Sequence, residues 1–128
     1  MARYLVDTDV LIDHEKGIAH AGDFLQKINR TENQLFLSVI TLIELFTGLS
    51  EEDRKRSDPL ISLFDVIVVD REIGEKAAAY LHRFQKRSGV GLGDAVIAAT
   101  AHSLRATIIT RNQKHFPMSD IQVLSPYR

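Results

Sequence analysis

Apolar and polar positions change over in blocks along this chain, not residue by residue. Short runs that are apolar almost throughout read as strands: RYLV (3–6), LFLS (35–38), VIVV (66–69), ATIIT (106–110) and IQVLSP (121–126), the last stopped by Pro126. Segments with helical spacing lie between them. GDFLQKIN (22–29) aligns Phe24, Leu25 and Ile28, and VITLIELFTGL (39–49) closes near Gly48. EEDRKRSDPLISLF (51–64) is charged and then apolar, helical with a break expected near Pro59. REIGEKAAAYLHRFQKR (71–87) carries Ile73, Ala77, Tyr80, Leu81 and Phe84 on its apolar side. After the loop SGVGLG (88–93), Asp94 opens a helix that ends near Leu104. Its small residues Ala95, Ala98, Ala99 and Ala101 suit close packing on strands.

Alternating strands and helices, with strands apolar on both sides, predict an α/β protein of three layers. A central parallel sheet of four to five strands would lie between helices on both faces. Ligand sites in such sheets lie outside the carboxyl ends of the strands.

Composition narrows the class without selecting a function. The 128 residues are expected to form one domain, residues 1–128, with a real core. Hydrophobic residues make up 45% and charged residues 26%, as in ordinary globular proteins. No cysteine is present, which removes disulfides, thiolate metal sites and a cysteine nucleophile. The start, MARYLVDTDV, lacks the apolar core of a signal peptide, and no apolar run approaches the ~18 residues of a membrane span. The expected location is therefore the cytoplasm. A net charge of −1 gives no global basic field. There is no internal repeat, low-complexity segment or linker.

The acids stand out against this background. Asp7 and Asp9 follow RYLV directly, at a strand's carboxyl end, as Thr110, Arg111 and Asn112 follow ATI. Asp94 follows a glycine-rich loop at a helix start, which points to the same rim. Glu44 lies inside TLIELF, with no wide polar face to occupy. Burying an unpaired carboxylate costs several kcal/mol, and neighbouring carboxylates raise one another's pKa. A divalent cation resolves both costs, and Mg²⁺ and Mn²⁺ favour carboxylate oxygens. Plainer roles compete. Asp94 and Asp9 could each cap a helix, Asp7 could begin an Asx-turn, and Glu44 could pair with an arginine.

With these residues in place, the chain resembles PIN-domain proteins, specifically VapC-like toxin ribonucleases of toxin–antitoxin systems. The resemblance rests on YLVDTDVLID, SVITLIELFTGL and GLGDAVIAATAHSLRATIITRNQKHF, and covers nearly the whole chain. It implies a three-layer α/β/α PIN-like fold and metal-dependent endonucleolytic cleavage of RNA with Mg²⁺ or Mn²⁺. The family's metal-binding acids correspond to Asp7, Glu44 and Asp94. Asp7 and Asp94 are the expected principal ligands; Glu44 ligates directly, through water, or orients the attacking water. Thr8, Ser38 and Thr110 occupy small hydroxyl positions, expected to orient carboxylates or water. Many PIN domains place a fourth acid where TRNQKHF offers Asn112, and His115 stands where related toxins often have an acid. The implied partners are a VapB-like antitoxin covering the active-site groove and a second copy in a homodimer. Leu11, Ile12, Phe46 and Leu49 are candidates for the antitoxin contact, although Leu11, Phe46 and Leu49 also read as core.

RNA would need cations near the rim. Arg111 and Lys114 lie beside it, and Arg83, Lys86 and Arg87 share one helical face. DRKRSD (53–58) reads as surface. The histidines have no metal-ligand spacing, and His102 reads as a helix C-terminal residue complementing the macrodipole. Three rival readings remain. DTD after a strand also resembles haloacid dehalogenase-type phosphatases, but Val10 and Leu11 stand where that pattern wants glycine and threonine. A non-catalytic PIN-fold binding module would use the same fold with an incomplete site. A PIN nuclease of RNA maturation would act outside any toxin system.

Overall fold

A computed structural model describes residues 1–127. Five strands form one parallel sheet: β1 (Arg3–Val6), β2 (Gln34–Ser38), β3 (Asp65–Ile67), β4 (Thr107–Ile109) and β5 (Gln122–Leu124). Their order is β3-β2-β1-β4-β5. The chain winds outward from β1 in one direction and then crosses to β4 on the other side. The gap between the carboxyl ends of β1 and β4 is therefore the switch point where such sheets bind ligands.

Neighbouring residues within a strand serve opposite faces. Leu5, Phe36 and Ile108 point into a core shared with α5 (Arg71–Ser88) and α6 (Leu92–Leu104). Val6, Leu35, Leu37 and Ile109 point into a second core. That core lies under α1 (Thr8–Glu15), α2 (Ala19–Ile28), α3 (Val39–Thr47) and α4 (Glu51–Ile61). Burial on both faces is why these strands read as unbroken apolar runs. The three layers match the expected architecture.

The alanine-rich helix is buried all round over seven consecutive residues, Ala95 to Ala101. Its small side chains let it wedge between the sheet and α5. Lys76 and Tyr80 on α5 and His102 near the end of α6 all reach Asp120. The two helices thus run antiparallel, joined by Gly89–Gly91. Gly89 ends α5 in the left-handed region at φ 67°, with open space around its Cβ position. Gly89→Ala is expected to cost about 1 kcal/mol through backbone strain alone, lowering Tm by roughly 4 °C in a thermal melt.

Some element limits differ from the pattern-based ones. α4 runs through Pro59 without a break. The proline falls in the last turn, where only one N–H is missing, and the Ser62 N–H still reaches the Asp58 carbonyl at 2.9 Å. β3 ends at Ile67, because its partner β2 ends at Ser38 and turns into α3; Val68 and Val69 continue beyond it, exposed. α6 starts at Leu92, with Gly91 at the cap position. Asp94 is thus inside the first turn and is not the capping residue. α2 begins at Ala19, three residues before the apolar spacing becomes visible. No helix among the described residues is long and apolar enough to cross a membrane.

Candidate active site

The end of β1 and the end of β4 are tied together across the switch point. The Asp7 N–H donates to the Ile109 carbonyl at 2.9 Å. Asp7 is itself the N-cap of α1, its Oδ1 accepting from the Thr8 N–H at 2.8 Å. Its Oδ2 accepts from the Thr110 hydroxyl at 2.8 Å. Both oxygens are thereby held, and the residue is only 7% exposed. Burial, followed by repulsion from Asp9, pushes the Asp7 carboxyl up to about 6; the Thr110 and Thr8 hydrogen bonds only partly oppose this.

Asp9 does something other than the capping expected of it. Asp7 holds the cap position, so Asp9 falls in the first turn of α1 and faces the chain leaving β4. Its Oδ2 accepts from the Arg111 N–H at 3.0 Å and from the Asn112 amide Nδ2 at 3.0 Å, and lies 3.2 Å from the Thr110 hydroxyl. Thr110 has one proton to give, and the shorter contact directs it to Asp7. Oδ1 of Asp9 is buried with no hydrogen-bond partner. Burial raises the Asp9 pKa, against the pull of the Arg111 N–H and the Thr110 hydroxyl.

Asp94 joins this group from α6. Burial raises its pKa, His115 draws it down, and Asp9 adds repulsion. His115 Nδ1 stands 3.7 Å from Asp94 Oδ2. Three aspartates from two elements therefore share one rim and oppose one another's ionisation.

Glu44 reaches the same rim differently from the buried position its sequence context predicts. α3 buries Thr41 and Leu45 and turns Ile43 and Glu44 outward, so Glu44 is exposed. Its Oε1 accepts from the Thr8 hydroxyl at 2.9 Å. A Cβ added at Gly93 would lie 3.6 Å from Glu44 Oε2, so the carboxylate rests against the backbone beside Asp94. Thr8 thus links Asp7, through its N–H, to Glu44, through its hydroxyl.

Ser38 is fully buried and caps α3, its Oγ accepting from the Ile40 N–H at 3.1 Å. Asn112 spends its amide on Asp9 and its N–H on the Thr110 hydroxyl. Arg111 Nε sits 2.8 Å from Asp13 Oδ2. Lys114 is exposed on the short 3₁₀ turn Gln113–His115. Lys86 and Arg87 are exposed in the last turn of α5, whose antiparallel packing brings that end toward the start of α6 and Asp94. Arg83 lies over the Phe84 ring at 5.3 Å.

The residues suit a hard cation in charge, though they do not enclose one as they stand. Among the described residues no three His, Asp or Glu side chains converge closely enough to surround an ion. In favour of a fit, Asp7 is disfavoured as an anion by burial and then by Asp9, and Asp9 leaves one buried oxygen unused. The nearby Arg111 guanidinium is paired with Asp13. Carboxylate oxygens with water completing the shell are the donor set of Mg²⁺ and Mn²⁺.

The PIN-domain profile matches residues 4–120. Ribonuclease VapC10 of Mycobacterium tuberculosis is 35% identical over 124 residues, spanning 96% of this chain and 92% of that protein. Among solved structures, a toxin–antitoxin complex from Klebsiella pneumoniae contains a similar chain, with a TM-score of 0.80, 31% identity and 98% of each chain covered. VapBC2 from Rickettsia felis, bound to a promoter DNA fragment, shares the fold with a TM-score of 0.82 at 21% identity, covering 96% of this chain and 98% of that one. The profile match across most of the chain and the identity to VapC10 together show that this chain belongs to the PIN-domain family.

Proposed function

We propose that the chain is a Mg²⁺- or Mn²⁺-dependent endoribonuclease, the toxin of a VapBC-type pair, acting in the cytoplasm. The observation that carries this reading is the carboxylate cluster at the switch point. Asp7, Asp9 and Asp94 hold more negative charge there than the neighbouring cations offset. The names of the VapC relatives and of the VapBC neighbours point the same way.

Asp7 and Asp94 would hold the ion, with Glu44 beside them. Bound there, a divalent ion supplies a more acidic water and offsets charge developing on the phosphoryl oxygens. The chain's own groups set the geometry. Thr8 and Thr110 fix the two oxygens of Asp7, and the Thr8 hydroxyl aims Glu44. Glu44, exposed beside buried Asp7 and half-buried Asp94, would orient the attacking water and accept its proton. Arg111, Lys114, Lys86 and Arg87 provide phosphate contacts around the rim.

A VapB-like antitoxin has a place to bind. A cavity of about 300 Å³ opens beside Glu44, lined by Ile12, Glu15, Lys16, Leu45, Gly48 and Leu49. An apolar segment seated there would cover the acids. Ile12 and Leu49 are available to it, whereas Leu11 is fully buried in the core and Phe46 is covered by Arg54 at 4.7 Å. Ile43 and Leu92, exposed on either side of the acids, suit contact with a second copy in a homodimer.

The test is incubation of total RNA with the purified, antitoxin-free chain in Mg²⁺, Mn²⁺ or EDTA. Discrete fragments that require metal and vanish with Asp94→Asn are expected. Equal cleavage by Asp94→Asn, or cleavage that persists in EDTA, overturns the reading. The rival reading as a non-catalytic binding module has one observation in its favour, the open spacing of the acids. It predicts no fragments from a folded wild type under any metal.

A further inference from the structure

Asp9 and Asp13 lie four residues apart, on one face of α1. Arg111 spans both. Its N–H donates to Asp9 at 3.0 Å, and its guanidinium Nε pairs with Asp13 at 2.8 Å. The Asp13 side chain is 5% exposed, while that of Arg111 is 43% exposed. The buried acid thus anchors a cation whose other half faces solvent at the rim. Among the described residues the guanidinium makes no aligned hydrogen bond, which leaves its fork of donors available.

A third group completes the arrangement. After β5 the chain turns back over α1, and the Tyr127 hydroxyl donates to the same Asp13 oxygen at 2.6 Å. The Tyr127 ring stacks on His20 with centroids 6.0 Å apart. Burial and the Asp13 charge push the hydroxyl well above its ordinary range, so it remains a donor. A buried ion pair of this kind is weak evidence for stability, since apolar residues of similar volume serve as well. Its effect here is to fix where a half-exposed arginine points.

We propose that Asp13 and Tyr127 are positioning residues that hold the Arg111 guanidinium at the rim of the acid cluster, where it grips a phosphate of the bound RNA strand. This rests on the ribonuclease reading above. A planar guanidinium held by an ion pair at Nε offers its other N–H groups to a phosphate as a fork, which a lysine cannot do. The grip acts on substrate binding, so it shows in KM and leaves kcat within about twofold.

The test uses a fluorescein-labelled RNA oligonucleotide of mixed sequence, bound in EDTA, together with cleavage of total RNA in Mn²⁺. Arg111→Ala is expected to weaken binding about tenfold and to reduce the salt slope by about one ion. Tyr127→Phe keeps the ring packing and removes only the hydroxyl; about threefold weaker binding is expected, with a matching rise in KM. In the Arg111→Ala background, Tyr127→Phe should have no further effect on binding. Asp13→Asn should behave as Tyr127→Phe does. Equal effects of Tyr127→Phe with and without Arg111 would reduce the tyrosine to a structural role and overturn the proposal, as would unchanged binding in Arg111→Ala. A wild type that binds RNA but does not cut it overturns the nuclease reading, while these binding comparisons still decide whether Asp13 and Tyr127 position Arg111. A wild type that does neither overturns both.

Discussion

Asp7→Asn is expected to abolish RNA cleavage, by about 10³-fold or more, and to make the metal-free protein more stable near neutral pH. The two effects share one cause. Asp7 is buried beside Asp9, and its carboxyl is raised from 3.8 to about 6. Below pH ~4 it is protonated in both folded and unfolded chains and costs nothing. As pH rises from 4 to 6 the unfolded chain ionises first, so stability falls; above about 6 the full penalty, about 3 kcal/mol, is present. The asparagine removes this slope while keeping the contacts. Its carbonyl oxygen accepts from the Thr8 N–H, and its amide donates to Thr110, whose proton then turns to Asp9 Oδ2 at 3.2 Å. Thermal melts in EDTA across pH 4–8 check it. The wild type should lose stability through this window and the variant should not. A variant less stable than the wild type at pH 7.5 would mean that Asp7 is neutralised by something other than a bound cation.

The second large effect is expected at Asp9. Asp9→Ala deletes the acceptor for the Arg111 N–H and the Asn112 amide, and so releases the chain leaving β4 from α1. Cleavage should fall about 100-fold, because the segment carrying Thr110, whose hydroxyl holds Asp7, loses two of its ties to α1. Hydrogen exchange gives the local readout: protection of the Arg111 amide should collapse in Asp9→Ala and survive in Asp9→Asn, which keeps an acceptor. Removing this charge also lowers the Asp7 pKa, since repulsion from Asp9 is the second cause of its elevation. The pH-dependent loss of stability should therefore shrink and move to lower pH in both variants. An unchanged exchange rate at Arg111 in Asp9→Ala would contradict this role.

The layered fold was legible because each strand is buried on both faces. Leu5 and Val6, or Ile108 and Ile109, serve opposite cores, and only a run without polar interruptions can do that. The rim was legible for the same reason, as acids at the ends of such runs have few other places to be. Element ends were less legible, because they depend on partners distant in sequence. Val68 and Val69 are as β-branched as Val66 and Ile67, but β2 has already turned into a helix beside them. Gly91 caps α6 without a side chain, so nothing local announces that Asp94 sits within the first turn and does not cap it.

Within the site, the exposed position of Glu44 was hidden by its apolar neighbours. TLIELF reads as buried throughout, yet α3 leaves Ile43 58% exposed beside it. At Asp9 a helix start suggests a capping role, but the residue two positions earlier takes it. The available signal was the spacing of Asp9 and Asp13 on α1, which matches one helical turn and faces TRN after β4. Tyr127 lay beyond reach, since its partner Asp13 is 114 positions away.

If the acids at the switch point hold a divalent cation, the metal-free chain itself binds Mn²⁺. Titration of the metal-free chain with Mn²⁺ at pH 7.5, followed by calorimetry, tests this without a known RNA substrate. Saturable binding by the wild type is expected, weakening as pH falls through 6, where protons compete for Asp7, and lost in Asp7→Asn and Asp94→Asn. Binding of equal strength in both folded variants, or none by the folded wild type, would contradict it.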